Sequence, residues 1–476
     1  MIDVRKRADE VLERATLAAA VFHQLDQAET DRIVESVARA GFDARVRLAK
    51  MAREETGLGV WQDKVTKNVL ATQMVYEDIR REKTVGILSD DPRSGITEIA
   101  QPLGPVFAVT PVTNPTSTVL YKVLICLKTR NPIIISPHRR STRCCVETVR
   151  ICYEAALAAG APEDCIQILD ESSRELTHAV MTHPQLALIL ATGGTGLVKE
   201  AYSSGTPAIG VGPGNVPVLI DRSADIPFAV SSILMSKTFD NGTVCASEQA
   251  VVLEKAIEAE VVAEFTRQGA YFLSARETAL VEKVAILESS GTMHPDIVGQ
   301  GVPEIARMAG IEVPEGTRLL LARLEGTGKG FPLSGEVLAP ILAFYVRPDF
   351  ESAFKLCIEL NYLGGIGHTA VIHANDEARV LEFGHLMNAG RILVNTPSSQ
   401  GAVGAFFNPL LASLTLGCGT GGKNITTENI SAKHLINIQR ISRRRPNEKW
   451  LAFPHARLLD EGSGWDVLIP EYHKNH

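Results

Sequence analysis

Nucleic acid, membrane and metal are all set aside by what this chain lacks. It has no basic field: 48 Lys and Arg stand against 55 Asp and Glu, a formal net charge of −7. Nothing in that balance holds a nucleic acid backbone, and no run of like charge makes an interaction tail. No stretch of about 18 uninterrupted apolar residues occurs, which argues against a membrane span. The first residues, "MIDVRKRADEVLERATLAAAVFHQL", are charged and amphipathic without a long apolar core, so no signal peptide is expected there. The eight cysteines, at 126, 144, 145, 152, 165, 245, 357 and 418, form no CxxC pair and have no companion histidines at zinc spacing. No metal site is expected, and a reducing cytoplasm fits this cysteine usage best. Internal repeats and low-complexity linkers are absent as well.

What is present is apolar material, 45% of 476 residues, enough for two large domains. Residues 1 to about 83 read as three helices with charged faces, and "SDDPRSG" (89–95) breaks that pattern. From 103 onward short apolar runs alternate with amphipathic helices. "PVFAVTP", "PIIISP", "CIQILD" and "LALILATGG" read as strands. A helix is expected from Ser141 to Gly160, as N-cap and C′ residue. Strands alternating with helices predict a parallel, doubly wound α/β sheet. A second βα series is expected from 237 to "GRILVNTP" (390–397), followed by a polar tail rich in Arg (440–445).

Three places carry chemistry. "LILATGGTGLVKEAYSSG" (188–205) runs from a buried strand through Gly193, Gly194, Thr195 and Gly196 into a helix. Such a turn either cradles a phosphate at the helix N-terminus or is simply a tight turn, and it is not GxGxxG. "SPHRR" places Ser136, His138, Arg139 and Arg140 at the C-terminal end of a strand, where open α/β sheets bind ligands. For Arg140 a solvated helix start is the equal alternative. In "KTFDNGTVCASEQAVV" (237–252), Cys245 sits after turn residues with Thr243, Ala246 and Ser247 leaving room around its sulfur. It is a buried thiol, a metal ligand or a nucleophile; the other seven read as small buried hydrophobes.

"FDNGTVCASEQ", "TGGTGLVKEAYSSGTPAIGVGPGNVPVLID" and "VTPVTNPTS" resemble the aldehyde dehydrogenase superfamily, and more narrowly its coenzyme A-acylating branch. "GHTAVIHAND" (367–376) and "NTPSSQG…SLTLGCGTGGKNITTENISAKHLIN" (395–437) extend the resemblance over roughly residues 100–440. It implies two doubly wound Rossmann-type α/β domains with a small oligomerisation segment. The division expected is 1–236 for the nicotinamide cofactor, 237–412 for the catalytic thiol, and 413–476 for a C-terminal segment returning to the cofactor or oligomerisation side. A homo-oligomer, dimer or tetramer, is implied too. The chain ends soon after the dehydrogenase half, so no iron-dependent alcohol dehydrogenase domain is expected to follow.

By the resemblance, Cys245 is the nucleophile. Asn114, otherwise a turn asparagine before Pro115, supplies the amide that stabilises the oxyanion with the cysteine's backbone N–H. Glu336 in "SGEVLAP" holds the nicotinamide ribose. Thr192, Gly193, Gly194, Thr195 and Gly214 complete the dinucleotide site, with Ser136, His138, Arg139 and Arg140 at the adenosine ribose. The cofactor implied is NADP or NAD, since an arginine pairs bidentately with a 2′-phosphate. Hydrolytic members carry an acidic base where Val211 stands, and nothing in 206–217 deprotonates water. A thioester without that base persists until a thiol arrives, and coenzyme A is the expected acceptor. His368 is either the base for that thiol or a core histidine. In "GCGTGGKN" (417–424) Lys423 is either a surface lysine or the cation that selects an anionic aldehyde, sulfoacetaldehyde first, succinate semialdehyde second, acetaldehyde as the neutral alternative. A hydrolytic aldehyde dehydrogenase and an assembly or filament protein are the alternatives of other classes.

Overall fold

Alternating apolar strands, buried on both faces, build the first sheet. A computed structural model describes residues 4–171 and 173–474. Strands Val106–Val109, Ile133–Ser136, Ile166–Ile168, Leu188–Thr192 and Ala208–Val211 form a five-stranded parallel sheet. Val106 and Ala108 pack on one face with Ile133, Ile135 and the helix Pro115–Lys128. Phe107, Val109 and Ile134 pack on the other, against Val11, Leu12 and Val180. In space the order is Ile166–Ile168, Ile133–Ser136, Val106–Val109, Leu188–Thr192, Ala208–Val211. The chain therefore reverses direction between Val106–Val109 and Leu188–Thr192, and the crevice beyond the carboxyl ends at such a reversal is where open α/β sheets bind ligands.

The second sheet has seven parallel strands in the order Ala270–Leu273, Leu319–Arg323, Ile341–Arg347, Glu248–Glu254, Val216–Ile220, Gly367–His373, Ala389–Val394. Two apolar clusters cover its faces. Val216–Ile220 lies upstream of the expected division at 236/237, yet it hydrogen-bonds within this sheet, between Glu248–Glu254 and Gly367–His373. The second βα series thus begins about twenty residues earlier than the sequence pattern indicates, because a short apolar run carries no label for the sheet it joins.

Lys83–Gln101 and Asn437–His476 form a separate compact unit. Its antiparallel hairpin pairs Gly86–Asp91 with Ile96–Pro102, and "SDDPRSG" closes it: Asp91 Oδ1 accepts from the Arg93 amide at 2.9 Å. The tail expected to be merely polar supplies a third strand, Ile436–Ser442, and the helices Glu448–Ala452 and Trp465–Lys474. Among the described residues no helix is long and apolar enough to cross a membrane.

The expected three N-terminal helices are more numerous. After Val4–Phe22, Gln27–Asp43 and Arg45–Thr56, a further helix Trp61–Val69 runs through a π-turn, Leu70–Met74, into Val75–Ile79. Gly57 and Gly59, both left-handed at φ +73° and +70°, break the chain between them. The helix Thr142–Ala158 starts as expected at Ser141, but the Ser141 hydroxyl is turned to the His138 carbonyl. Glu55 caps the helix instead, accepting from the Arg143 and Cys144 amides at 2.8 and 2.7 Å. A Cβ on Gly59 would stand 1.9 Å from Asp240 Oδ1. Gly59→Ala therefore combines left-handed strain with displacement of a buried carboxylate. It is expected to cost roughly 2 kcal/mol or more and to lower the thermal midpoint; an unchanged midpoint would show that this joint bears no load.

Candidate active site

The two sheets meet at opposite ends of their strands. The loop after Val106–Val109 carries Asn114 and the end of Leu188–Thr192 carries Thr192; the loops before Val216–Ile220 and Glu248–Glu254 carry Gly214 and Cys245, and the start of Gly367–His373 carries His368. A narrow cavity opens there, lined by Asn114, Thr192 and Cys245, by Lys67, Thr118, Ser399 and Gln400, and by an apolar wall that includes Leu70, Phe239, Val244, Phe406 and Leu414. No carboxylate is among the lining residues. All eight cysteines lie among the described residues; seven are buried and Cys245 alone keeps partial exposure.

Gly214 joins three of the residues singled out from the sequence. A Cβ there would lie 2.4 Å from the Cys245 carbonyl oxygen and 3.1 Å from His368 Cγ, so both pack directly on its backbone. Its amide donates to Glu336 Oε1 at 3.2 Å. Burial pushes the Cys245 thiol up to about 12, and the Glu336 carboxylate adds to that more than any other charge. Burial raises Glu336 itself to about 7. His368 is fully buried, with Nδ1 3.0 Å from Thr369 Oγ1 and no partner on Nε2. Burial and the nearby Arg391 guanidinium bring its pKa down to about 3, so the imidazole is neutral throughout the physiological range rather than poised near neutrality.

The dinucleotide candidates are brought together only in part. Thr192 ends its strand in the cavity, with Oγ1 buried and unpartnered. Gly193 follows, and Gly194 is the N-cap of the helix Thr195–Ser203, exposed and with open space where a side chain would stand. Free N–H groups and open space suit a phosphate. Ser136 is buried at the end of its strand, beside Val109. His138 and Arg139 are exposed beyond it, and Arg140 is tied by Nη2 to the Thr56 carbonyl at 3.1 Å. Lys423 is exposed in a left-handed turn (φ 62°) and does not line the cavity. Its loop is held from outside, by Asn424 Nδ2 on the Gly210 carbonyl and by Arg391 Nη2 on Gly417. Val211 is buried in the strand Ala208–Val211, paired with Thr192.

Sequence reasoning missed the polar residues that hold these loops. Arg391 sits inside a strand and spans the carbonyls of His368 (2.7 Å) and Gly417 (2.8 Å). Asp240, wholly buried, takes Lys64 at 2.9 Å and Lys67 at 2.5 Å on one oxygen and the Val60 amide at 2.7 Å on the other. Burial pulls its carboxyl upward, and the two ammonium groups more than reverse this. Asp63, Lys64 and Lys67 on one short helix look like a solvated face in the sequence; the only available signal is an i, i+3 lysine pair with an aspartate far along the chain.

The two parallel sheets thus bring a cysteine, a side-chain amide and a strand-terminal threonine to one cavity. The chain belongs to the aldehyde dehydrogenase family, whose model matches residues 3–272. It is 45% identical over 471 residues to the bifunctional aldehyde-alcohol dehydrogenase of Escherichia coli, covering 98% of this chain and 53% of that one, so it spans about half the length of that relative. It is 36% identical over 470 residues to the sulfoacetaldehyde dehydrogenase of an Acholeplasma species, covering 96% of both. Among solved structures, an acetylating aldehyde dehydrogenase from Geobacillus thermoglucosidasius superposes with a TM-score of 0.91 at 46% identity, over 94% of this chain and 99% of that one.

The site's electrostatics make a test of Cys245. A thiol held near 12 is protonated at neutral pH, so its alkylation by iodoacetamide is expected to rise about tenfold per pH unit without a plateau below pH ~10. Glu336→Gln removes the charge that most opposes the thiolate and should speed alkylation at pH ~8 several-fold. A plateau near neutrality, or a rate indifferent to Glu336, would contradict this geometry.

Proposed function

We propose that this chain is a coenzyme A-acylating aldehyde dehydrogenase, converting a short aldehyde to its acyl-coenzyme A ester. The observation that carries the reading is the single cavity shared by Cys245, Asn114 and Thr192, with no carboxylate in its lining and Val211 in a strand at its edge. Cys245 Sγ, giving up its proton to solvent at the cavity mouth, bonds to the carbonyl carbon as the C=O electron pair moves to oxygen. Asn114 Nδ2 and the Cys245 amide donate to that oxygen. Loss of hydride leaves a thioester on Cys245, and the nicotinamide dinucleotide, NADP or NAD, supplies the hydride acceptor when bound. Thr192, the turn Gly193–Thr195, Gly214 and Glu336 hold it, and the exposed Arg139 beyond Ser136 is free to meet a 2′-phosphate.

The apolar walls keep water scarce around the thioester, and no acid in the lining activates what enters. The acyl group then passes to the coenzyme A thiol, whose attack releases Cys245. In this reading His368, packed on Gly214 with Nε2 unpartnered, exchanges the proton of that thiol. Burial disfavours an imidazolium there, so the proton passes on to the departing Cys245 sulfur.

The cavity favours an uncharged short aldehyde such as acetaldehyde. Its one cationic side chain, Lys67, is engaged by Asp240 and Asn114, and Lys423, expected from the sequence to select an anion, lies outside the lining. An anionic aldehyde is the second reading, favoured by the identity to the sulfoacetaldehyde enzyme. The test is dinucleotide reduction with a panel of aldehydes, with and without coenzyme A. Turnover is expected to require coenzyme A and to yield acyl ester rather than free acid. Cys245→Ala should abolish it while leaving dinucleotide affinity intact, and acetaldehyde should exceed sulfoacetaldehyde in kcat/KM with the ratio unmoved in Lys423→Ala. Free acid formed as fast as acyl ester would overturn the acylating assignment; a sulfoacetaldehyde preference lost in Lys423→Ala would restore the second reading.

A further inference from the structure

The helix Trp61–Val69 belongs to neither sheet, yet it places one ammonium in the cavity. Lys67 Nζ stands 2.6 Å from Asn114 Oδ1, 2.5 Å from Asp240 Oδ2, and 3.2 and 3.3 Å from Thr243 Oγ1 and the Thr243 carbonyl. An ammonium has donors only, so the Asn114 amide meets it through Oδ1 and Nδ2 faces away. Nδ2 makes two longer contacts, to Thr113 Oγ1 at 3.1 Å and to the Thr243 carbonyl at 3.2 Å, two residues before Cys245. A substrate oxygen can take the place of either.

Asp240 does not need Lys67 to be satisfied. Lys64 reaches the same oxygen at 2.9 Å, Thr243 Oγ1 at 2.7 Å, and the Val60 amide holds the other oxygen. Among the described residues, Lys67 is the one charged member of this cluster that bonds the Asn114 side chain, through Oδ1. Building on the reading of Asn114 as the oxyanion donor, we propose that Lys67 is a positioning residue: it fixes the flip of the Asn114 amide so that Nδ2 is presented to the carbonyl oxygen of the bound aldehyde. Its charge on Oδ1 also polarises the amide and strengthens the N–H as a donor while negative charge develops. Burial pulls its own pKa down to about 8, and Asp240 opposes that pull, keeping the ammonium charged at neutral pH.

The test is a double-mutant cycle on the coenzyme A-dependent reaction. Lys67→Met keeps the side chain's length and removes its charge. It is expected to lower kcat roughly 10²-fold, the scale of losing one oxyanion donor, while KM and dinucleotide Kd change by less than about threefold. In an Asn114→Ala background the same substitution should cost less than about threefold, since the group it acts through is gone. Equal losses in both backgrounds, a loss carried by KM or dinucleotide affinity, or no loss in Lys67→Met would overturn the proposal. If Lys67→Met fails to fold, the charge-balanced pair Lys67→Met with Asp240→Asn is run through the same cycle. An Asn114→Ala enzyme with unreduced turnover would refute the oxyanion reading itself and this proposal with it. A slow Asn114→Ala with additive losses refutes only the role of Lys67.

Discussion

The buried carboxylate of Asp240 is the constraint on which the site depends. It has no exposure to water and is held by groups from a helix 173 to 180 residues earlier in the chain, Val60, Lys64 and Lys67. A buried charge deprived of its partners costs several kcal/mol, so this cluster forms as a whole or leaves the loop undocked. The loop in question runs through Asp240 and Asn241, both in left-handed conformations (φ 49° and 52°), and reaches Cys245 five residues later. Non-glycine residues adopt that backbone only where surroundings enforce it. The ion cluster is what enforces it, and the N-terminal helices are therefore part of the site rather than a scaffold beside it.

The second constraint is steric and lies at Gly214. The Cys245 carbonyl, the His368 ring and the Glu336 carboxylate converge on one residue without a Cβ. They come from the N-terminal ends of three strands in the seven-stranded sheet, while Asn114 and Thr192 come from C-terminal ends in the five-stranded one. Each sheet alone offers half a site. Burial then tunes the seven-stranded half, raising Glu336 and the thiol and lowering the imidazole, so that the thiol and the imidazole both rest neutral. For the proposed chemistry this means a protonated resting thiol, little stray hydrolysis, and charge that develops only where Asn114 and the Cys245 amide meet it.

Much of this architecture was legible in the residues. Strands such as Val106–Val109 and Ile133–Ser136 are short apolar runs between turn residues, and that local pattern is sufficient to place them. Cys245 stood out by its small neighbours and its turn, and it is the one cysteine the fold leaves partly open. Gly193–Thr195 likewise announced a strand-to-helix turn. These readings succeed because they depend on interactions within a few residues.

Tertiary structure alone decided the rest. Nothing local tells Val216–Ile220 which sheet to join, because that depends on the edges offered by Glu248–Glu254 and Gly367–His373. Nothing local turns Lys67 inward, because a lysine on a charged helix face is driven to solvent unless a carboxylate from elsewhere compensates its burial. Lys423 shows the converse: a cation next to site motifs in sequence that the fold leaves exposed outside the cavity. The sequence determined which backbone segments would be strands, turns and helices, since those follow from period and turn chemistry. Which charges lie inside was settled only by partners more than 170 residues away, as for Lys64 and Lys67 on Asp240.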